Sequence, residues 1–196
     1  MDKCTKCRKF GVKLFLKGDR CNSPKCAITR RNYRPGAHGA KHANLRKSEY
    51  GLQLLEKQKI KSEYGLRERQ FANIFRKASK SRTNTGEELF RILEMRFDNI
   101  IYRLGWAASR AQARQFVSHR HFKINDKITN IPSKVLKPKD EITPVDKDFI
   151  KPVKVNIPKW LKVDAKQFKA EVIDLPKLEE IETDIDSQLI IEFYSR

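Results

Sequence analysis

Four cysteines near the start of the chain have the spacing of a metal site. Two residues separate Cys4 from Cys7, four separate Cys21 from Cys26, and 13 lie between the two pairs. Two short pairs of this kind can place four thiolates around one ion, and four-cysteine sites are typical of structural zinc. Four thiolates also bind iron–sulfur clusters. The pattern therefore predicts a metal site, with Zn(II) as one structural ion and an iron–sulfur cluster as the alternative.

Other kinds of cysteine chemistry fit the sequence less well. Disulfides need an oxidising compartment, and the basic first ten residues contain no apolar stretch of the kind found in a secretory signal. A redox-active Cys-x-x-Cys would require a βαβ pattern, which does not surround Cys4. Buried free thiols are not expected in the most polar quarter of the chain. We therefore expect a metal-clamped, irregular and basic arm over residues 1–40.

No motif of an enzyme accompanies the cysteines. The sequence contains no Gly-x-Ser-x-Gly, no Gly-x-x-x-x-Gly-Lys-Ser/Thr and no His-Glu-x-x-His. Its four histidines lie in basic neighbourhoods, where contact with phosphate is a better interpretation than proton transfer. We expect a protein that is not an enzyme and that has no small-molecule substrate.

The charge of the chain indicates an anionic partner. The net charge is +19 over 196 residues, and it amounts to +12 in residues 1–48, +9 in residues 101–163 and −5 in residues 164–196. A generic charged surface would not concentrate the excess in two zones. No run of about 18 apolar residues exists, so no membrane span is expected. Nucleic acid is a better partner than a membrane surface.

A segment rich in arginine follows the cysteines. In RRNYRPGAHGA, residues 30–40, Arg30, Arg31 and Arg34 surround Tyr33. Guanidinium groups pair with phosphates, and an aromatic ring offers a stacking surface to an unpaired base. The alternative is a basic linker that is disordered without its partner. The two interpretations agree if the segment becomes ordered on RNA.

Helices are predicted for most of the chain between residues 42 and 118. Apolar spacing is helical over about 42–82, and after a polar loop at 79–88, Thr85 or Gly86 is expected to cap the next helix. That helix carries an apolar stripe from Leu89 to Leu104. Gly105 ends it.

A further helix begins after Ser109, which is a suitable N-cap. Its buried face contains Ala113, Phe116 and Val117. Arg110 and Arg114 stand one turn apart on another face, and like charges at this spacing destabilise an isolated helix. The repulsion raises the question of what lies opposite these two arginines.

Short strands follow the helices. FKIND alternates, with Phe122 and Ile124 on one face, then turns at Asn125-Asp126 and returns at Ile128. The terminal QLIIEFYSR keeps a four-residue apolar spacing that favours a helix over a strand. Helices followed by a hairpin and additional short strands predict an α+β protein.

The chain resembles a known family in several of these segments. RFDNIIYRLGWAASRAQARQFVSHRHFKIND, residues 96–126, is similar to the RNA-binding module named after the small-subunit ribosomal protein S-four. The Cys4 pattern, RRNYRPGAHG and QLIIEFYSR resemble the bacterial type of that ribosomal family, in the same order, over essentially the full length. Phe97 stands where the family usually has Leu, HRH at 119–121 where it has His-Gly-His, and Asn125-Asp126 where it has Asn-Gly.

The resemblance implies an organisation and a function. It implies a metal-binding basic arm at 1–40, a helical domain at 41–94 completed by 184–196, and an RNA-binding module with a strand-rich extension at 95–183, whose core is 95–145. The implied function is that of a structural constituent of the small ribosomal subunit, in the cytoplasm. Such a protein binds a multi-helix junction in the 5′ domain of the ribosomal RNA and nucleates assembly. It lies beside neighbouring ribosomal proteins, near the path by which messenger RNA enters.

The same resemblance, together with the basic segments, gives the expected RNA-binding residues. Phosphates of the small-subunit ribosomal RNA are expected opposite Arg110 and Arg114. The full set comprises Arg8, Lys9, Arg30, Arg31, Tyr33, Arg34, His38, Arg46, Lys47, Arg96, Asn99, Arg103, Ser109, Arg110, Gln112, Arg114, His119, Arg120 and Lys123.

Two other functions remain open at this point, because the S-four module also occurs outside the ribosome. One is an RNA-modifying enzyme of the pseudouridine synthase type, which would need a catalytic domain larger than the segments flanking 95–145. The other is a translational repressor that binds its own messenger RNA.

Overall fold

The computed structural model describes residues 2–40, 48–147, 149–150, 152–153, 155–164, 167–177, 180–181 and 185–195. Contacts divide the chain into two compact units. The first unit comprises residues 1–71 and 184–196, and the second comprises residues 72–183. This division differs from the three segments suggested by the sequence, because residues 1–40 pack in one unit with the helix that follows them.

Three short helices form the described part of the arm. They are α1 (Lys3–Phe10), α2 (Asp19–Asn22) and α3 (Ala27–Arg30). The side chain of Asp2 caps α1 by accepting a hydrogen bond from the backbone N–H of Cys4, and Gly11 ends the helix at φ 76°. The arm is thus more regular than the irregular segment expected from the sequence.

The rest of the first unit is helical. Helix α4 (Glu49–Glu63) begins at Ser48, whose hydroxyl accepts from the N–H of Gly51. Helix α5 (Glu68–Ala78) follows α4 in the chain. The last helix, α9 (Ser187–Tyr194), packs on α4, where Tyr50 and Phe193 stack with ring centroids 5.8 Å apart. The helical interpretation of QLIIEFYSR is confirmed.

Three helices of the second unit lead to its sheet. They are α6 (Thr85–Glu94), α7 (Phe97–Arg103) and α8 (Arg110–Ser118). Asn84 caps α6, one residue before the predicted cap. The single helix expected to run to Leu104 is two helices, because the backbone at Met95 and Phe97 exchanges hydrogen bonds with residues 134 and 136. Ser109 caps α8, as predicted.

A five-stranded antiparallel sheet completes the second unit. Its strand order is β2-β1-β3-β5-β4, and neighbouring strands pair antiparallel throughout. The turn between β1 and β2 places Asn125 and Asp126 at φ 48° and 64°, as a two-residue hairpin requires. The strands are β1 (Phe122–Ile124), β2 (Lys127–Ile128), β3 (Glu141–Pro144), β4 (Leu161–Asp164) and β5 (Lys169–Val172).

The core of the second unit lies between the sheet and helices α7 and α8. Phe97 and Phe122 are fully buried there, and Trp106 stacks on Phe122 at 5.8 Å with an interplanar angle of 8°. Gly105 turns the chain at φ +71°, and a Cβ at this position would lie 2.5 Å from the carbonyl oxygen of Val153. Among the described residues, no helix has the length and apolar character needed to cross a membrane.

Candidate nucleic-acid interface

A buried carboxylate on α7 binds two arginines. Arg96 donates to Asp98 through Nε and Nη2, at 3.1 and 2.9 Å. Arg114 of α8 donates through its own Nε and Nη2 to Oδ2 of Asp98, at 2.9 and 2.6 Å. Planar guanidinium groups suit such paired contacts with a carboxylate. Asp98 therefore joins the start of α7 to the middle of α8.

A second set of contacts begins one residue further along α7. Asn99 donates its amide to Glu94, with 2.8 Å between Nδ2 and Oε2, and accepts from Nε of Arg110 at 2.8 Å. The guanidinium carbon of Arg110 lies 4.7 Å from the centroid of the Tyr102 ring, which is a cation–π contact. Arg103 donates to both carboxylate oxygens of Glu94, at 2.9 and 2.8 Å. We call these eight side chains the arginine frame, namely Glu94, Arg96, Asp98, Asn99, Tyr102, Arg103, Arg110 and Arg114.

The arginine frame corrects one expectation from the sequence. Arg110 and Arg114 were expected to face phosphates that would relieve their mutual repulsion, but Asn99 and Asp98 lie opposite them within the protein. A neutral amide and one carboxylate therefore stabilise the pair without RNA. Four arginines against two carboxylates still leave the frame with a net positive charge.

Three of the expected RNA contacts, Arg96, Asn99 and Ser109, are buried. Arg96 is 4% exposed and Asn99 is 1% exposed, so neither side chain presents itself for direct contact with RNA. Ser109 is also buried, and its hydroxyl accepts from the N–H of Gln112 as the cap of α8. Arg103, Arg110, Gln112 and Arg114 are partly exposed. For these four residues, direct contact with RNA stays a prediction.

The β1–β2 side of the second unit adds further basic groups. His119 and Arg120 are exposed, and Lys123 on β1 is partly exposed. Arg120 has φ 65°, a left-handed conformation at the position where the resembled family usually has glycine. His121 stacks on Phe149 with 4.0 Å between the ring centroids. This places exposed basic side chains next to the end of α8.

In the arm, one arginine fixes the RRNYRPG segment. The guanidinium carbon of Arg8 lies 4.7 Å from the centroid of Tyr33, and its Nε and Nη2 donate to the carbonyls of Tyr33 and Arg34 at 3.0 and 3.3 Å. Tyr33 remains 41% exposed. Arg30, Arg31 and His38 are also exposed, whereas Lys9 donates to Oε1 of Gln58 at 3.1 Å. The predicted RNA contacts Arg46 and Lys47 lie outside the described residues.

The four cysteines line one pocket of the arm. All four are free thiols, and Cys7, Cys21 and Cys26 are buried. Burial raises the pKa of Cys7, and negative charge on the other three sulfurs would raise it further. Four thiols that line one pocket are a donor set whose chemistry suits a metal cation. In the described part of the chain, no group of three or more His, Cys, Asp and Glu side chains lies in an arrangement that could hold a metal ion.

Sequence reasoning missed three members of the arginine frame. Asp98, Glu94 and Tyr102 were not candidates. The two carboxylates formed no catalytic pair and an acidic side chain does not suggest contact with RNA, while nothing in the local sequence singled out Tyr102. The available signal was spacing, since residues 98 and 102 share one face of α7. A partner 16 residues away on the next helix, as for Asp98 and Arg114, leaves no local pattern.

Comparison with known proteins gives consistent results over the whole chain. Residues 1–94 match the family model described as "Ribosomal protein S4/S9 N-terminal domain", and residues 95–142 match the model described as "S4 domain". Similar curated proteins are named "Small ribosomal subunit protein uS4". The one from Dictyoglomus thermophilum is 51% identical, with 98% of this chain and 96% of the relative covered. Those from Gloeobacter violaceus and Thermoanaerobacter sp. are 48% and 45% identical, with the same coverage.

Proposed function

Because the chain belongs to the uS4 family of small ribosomal subunit proteins, we propose that it is a structural constituent of that subunit and binds its ribosomal RNA. It works on the ribosome, in the cytoplasm. The observation in the structure that supports RNA binding best is the arginine frame. It sets Arg103, Arg110 and Arg114, all partly exposed, on two adjacent helices with an excess of positive charge.

We further propose that the RNA target is a multi-helix junction in the 5′ domain and that binding there nucleates assembly of the subunit. The support is that basic groups occur in both compact units, in the arm and in the arginine frame. Two basic surfaces on one chain make the second contact effectively intramolecular once the first has formed. RNA helices are recognised mainly by shape and backbone, which suits arginines that contact phosphate. The proposed partners also include neighbouring ribosomal proteins and messenger RNA near the path by which it enters.

We also propose that Cys4, Cys7, Cys21 and Cys26 hold one structural Zn(II), with an iron–sulfur cluster as the alternative. The support is their shared pocket and their chemistry as free thiols. A bound Zn(II) would supply a cross-link that couples ion binding to folding of the arm. Metal analysis and the absorption spectrum of the anaerobically purified protein separate the two alternatives.

The function is tested by association with the subunit. The full chain is expected to co-sediment with small ribosomal subunits and to bind a 5′-domain transcript more tightly than an unrelated structured RNA of equal length. Equal affinity for both RNAs would contradict the proposal. An RNA-modifying enzyme is not favoured, since the relatives covered over 96% of their length carry ribosomal names. A modification assay on ribosomal RNA is expected to show no product.

A further inference from the structure

We infer that Asp98, Asn99 and Tyr102 on α7 are positioning residues, which fix Arg114 and Arg110 of α8 in the orientations in which these arginines meet RNA. The inference rests on the proposed RNA-binding function and deepens it. It assigns to two buried residues, Asp98 and Asn99, and to the partly exposed Tyr102 a role in how tightly the nucleic acid is bound.

Contacts of two different kinds support the orientation of Arg110. The hydrogen bond from its Nε to Oδ1 of Asn99, at 2.8 Å, fixes one edge of the guanidinium group. The ring of Tyr102, at 4.7 Å, supports one face. Asn99 is rigid in turn, because its amide nitrogen donates to the side chain and the carbonyl of Glu94, at 2.8 and 3.1 Å. An edge and a face together define the plane of the guanidinium.

Arg114 is held by the carboxylate of Asp98. Its Nε and Nη2 both donate to Oδ2 of Asp98, while Arg96 donates to both oxygens of the same carboxylate. Side chains of both Arg96 and Asp98 are only 5% exposed, so the carboxylate cannot rotate away to follow Arg114. The order of contacts is antiparallel, with residue 98 opposite 114 and residue 102 opposite 110.

Holding the arginines in place before RNA arrives reduces the freedom that they lose on binding. An arginine on the surface samples many rotamers, and ordering them on association weakens affinity. Arg110 and Arg114 repel each other one turn apart on α8, and the negative charge of Asp98 offsets this repulsion within the protein. The frame thereby keeps two guanidinium groups ordered before RNA arrives.

The first test is a double-mutant cycle between Tyr102 and Arg110, measured on the full chain with the 5′-domain transcript. Tyr102→Leu removes the ring and is expected to weaken binding about two- to five-fold, the scale of an exposed cation–π contact. Tyr102→Phe keeps the ring and is expected to bind as the wild type does. In the background of Arg110→Ala, Tyr102→Leu is expected to have no further effect, because its target is gone.

Three outcomes of this cycle would overturn the inference. The first is that Tyr102→Leu weakens binding equally in both backgrounds, which would indicate a general structural effect. The second is that Tyr102→Leu leaves binding unchanged while Arg110→Ala weakens it. The third is that Arg110→Ala itself has no effect. In each case wild-type binding to the transcript still stands, whereas failure of the wild type to prefer that transcript would instead contradict the proposed function.

The second test uses the sign of a charge effect. Asp98→Asn removes a negative charge near RNA, so a purely electrostatic role predicts tighter binding, whereas a positioning role predicts binding weakened about as much as by Arg114→Ala. The matched control is Glu88→Gln on α6, which removes the same charge from the Arg91 pair, 2.7 Å apart, and is expected not to weaken binding. Tighter binding by a folded Asp98→Asn protein would overturn the inference for Arg114. If melting shows that this variant is unfolded, Asp98→Glu, which keeps the charge but shifts the carboxylate, replaces it, and unchanged affinity would overturn the same assignment.

Discussion

The Nζ of Lys57 lies 4.2 Å from the centroid of the Phe193 ring, so that a cation of α4 rests on an aromatic side chain of α9. The same Nζ is 2.7 Å from Oε1 of Glu68, and the hydroxyl of Tyr194 donates to that oxygen at 3.3 Å. Burial, together with the charge of Glu68 and this hydrogen bond, raises the pKa of Tyr194. Ionic and aromatic contacts together thus hold α9 against the other helices of the first unit.

Phe193→Ala is expected to destabilise the first unit by about 2 kcal/mol, less than the loss of a fully buried phenylalanine, because Phe193 is only partly buried. Urea unfolding would measure the loss of free energy. Hydrogen exchange would show where it acts, with amide protection lost in α4 and retained in β1 and β3. Ile128→Ala, an exposed truncation, is the control and is expected to have little effect. Equal stability of the two variants would show that α9 does not support α4.

Stability of the first unit should depend on acid through Glu68. Burial tends to raise the pKa of Glu68, but hydrogen bonds and charge from Lys57 and Lys61 outweigh it and lower the pKa to about 2. A carboxylate with a lowered pKa stabilises the fold above its unfolded pKa, near 4.5, and that contribution is lost as the pH falls toward 2. The side chain is 51% exposed, so solvent screening makes the effect modest.

The measurement is the difference in unfolding free energy between the wild type and Glu68→Gln. We expect the wild type to be the more stable at pH 6 and the difference to shrink between pH 4.5 and pH 2. Glu87→Gln, at an exposed position of α6, is the control and should show no such trend. A difference that stays constant over this range would contradict the assigned ion pairs.

Local patterns in the sequence predicted most helices and turns, but they could not predict which distant residues pair with one another. Ser109 as a cap and the turn at Asn125-Asp126 follow from short-range preferences, and both occur. The break between α6 and α7 could not be predicted, because the partners at residues 134 and 136 approach from a distant segment. The arginine frame could not be predicted for the same reason. A pattern of arginines does not reveal whether a carboxylate such as Asp98 or a phosphate lies opposite.

Two residues with left-handed backbone, one before β1 and one in the β1–β2 turn, offer a test of the backbone conformation. Arg120 and Asp126 have φ 65° and 64°, a conformation that is unfavourable for side chains other than glycine. Arg120→Gly should therefore stabilise the second unit by roughly 0.5–1 kcal/mol, and Asp126→Gly by less, because Asp tolerates this region better. Lys127→Gly in β2 is the control and should destabilise. Thermal melting checks the signs, and destabilisation by Arg120→Gly would contradict the assigned backbone.

Removal of the proposed Zn(II) should act on the arm alone. A chelator strong enough to strip Zn(II) from thiolates is expected to abolish amide protection in residues 3–30, because few other buried groups hold these residues. Protection in the core around Phe122 should not change, since that core belongs to the other unit. The measurement is hydrogen exchange on the metal-loaded full chain before and after chelation. Loss of protection throughout both units would show that the ion supports the whole fold.

The exposed arginines of the arm should be visible in the salt dependence of RNA binding. Arg30→Ala combined with Arg31→Ala is expected to flatten the slope of log affinity against log salt by roughly 1.5, if each arginine neutralises one phosphate. Lys177→Ala, in the acidic region of the chain, is the control and should leave the slope unchanged. Binding to the 5′-domain transcript at several salt concentrations gives the slopes. Identical slopes for the double variant and the wild type would remove the arm from the interface.

The turn at Asn125 also bears on how the protein ages chemically. The side-chain nitrogen of Asn125 donates to Asp140 at 2.8 Å, and its side-chain oxygen accepts from the N–H of Glu141 at 2.8 Å. Deamidation of an asparagine begins when the next backbone nitrogen attacks its side-chain carbonyl carbon. Asn125 would have to break both hydrogen bonds to reach that geometry. An asparagine at a tight turn, which is ordinarily heat-sensitive, is in this protein protected for as long as Asp140 and Glu141 stay bonded to it.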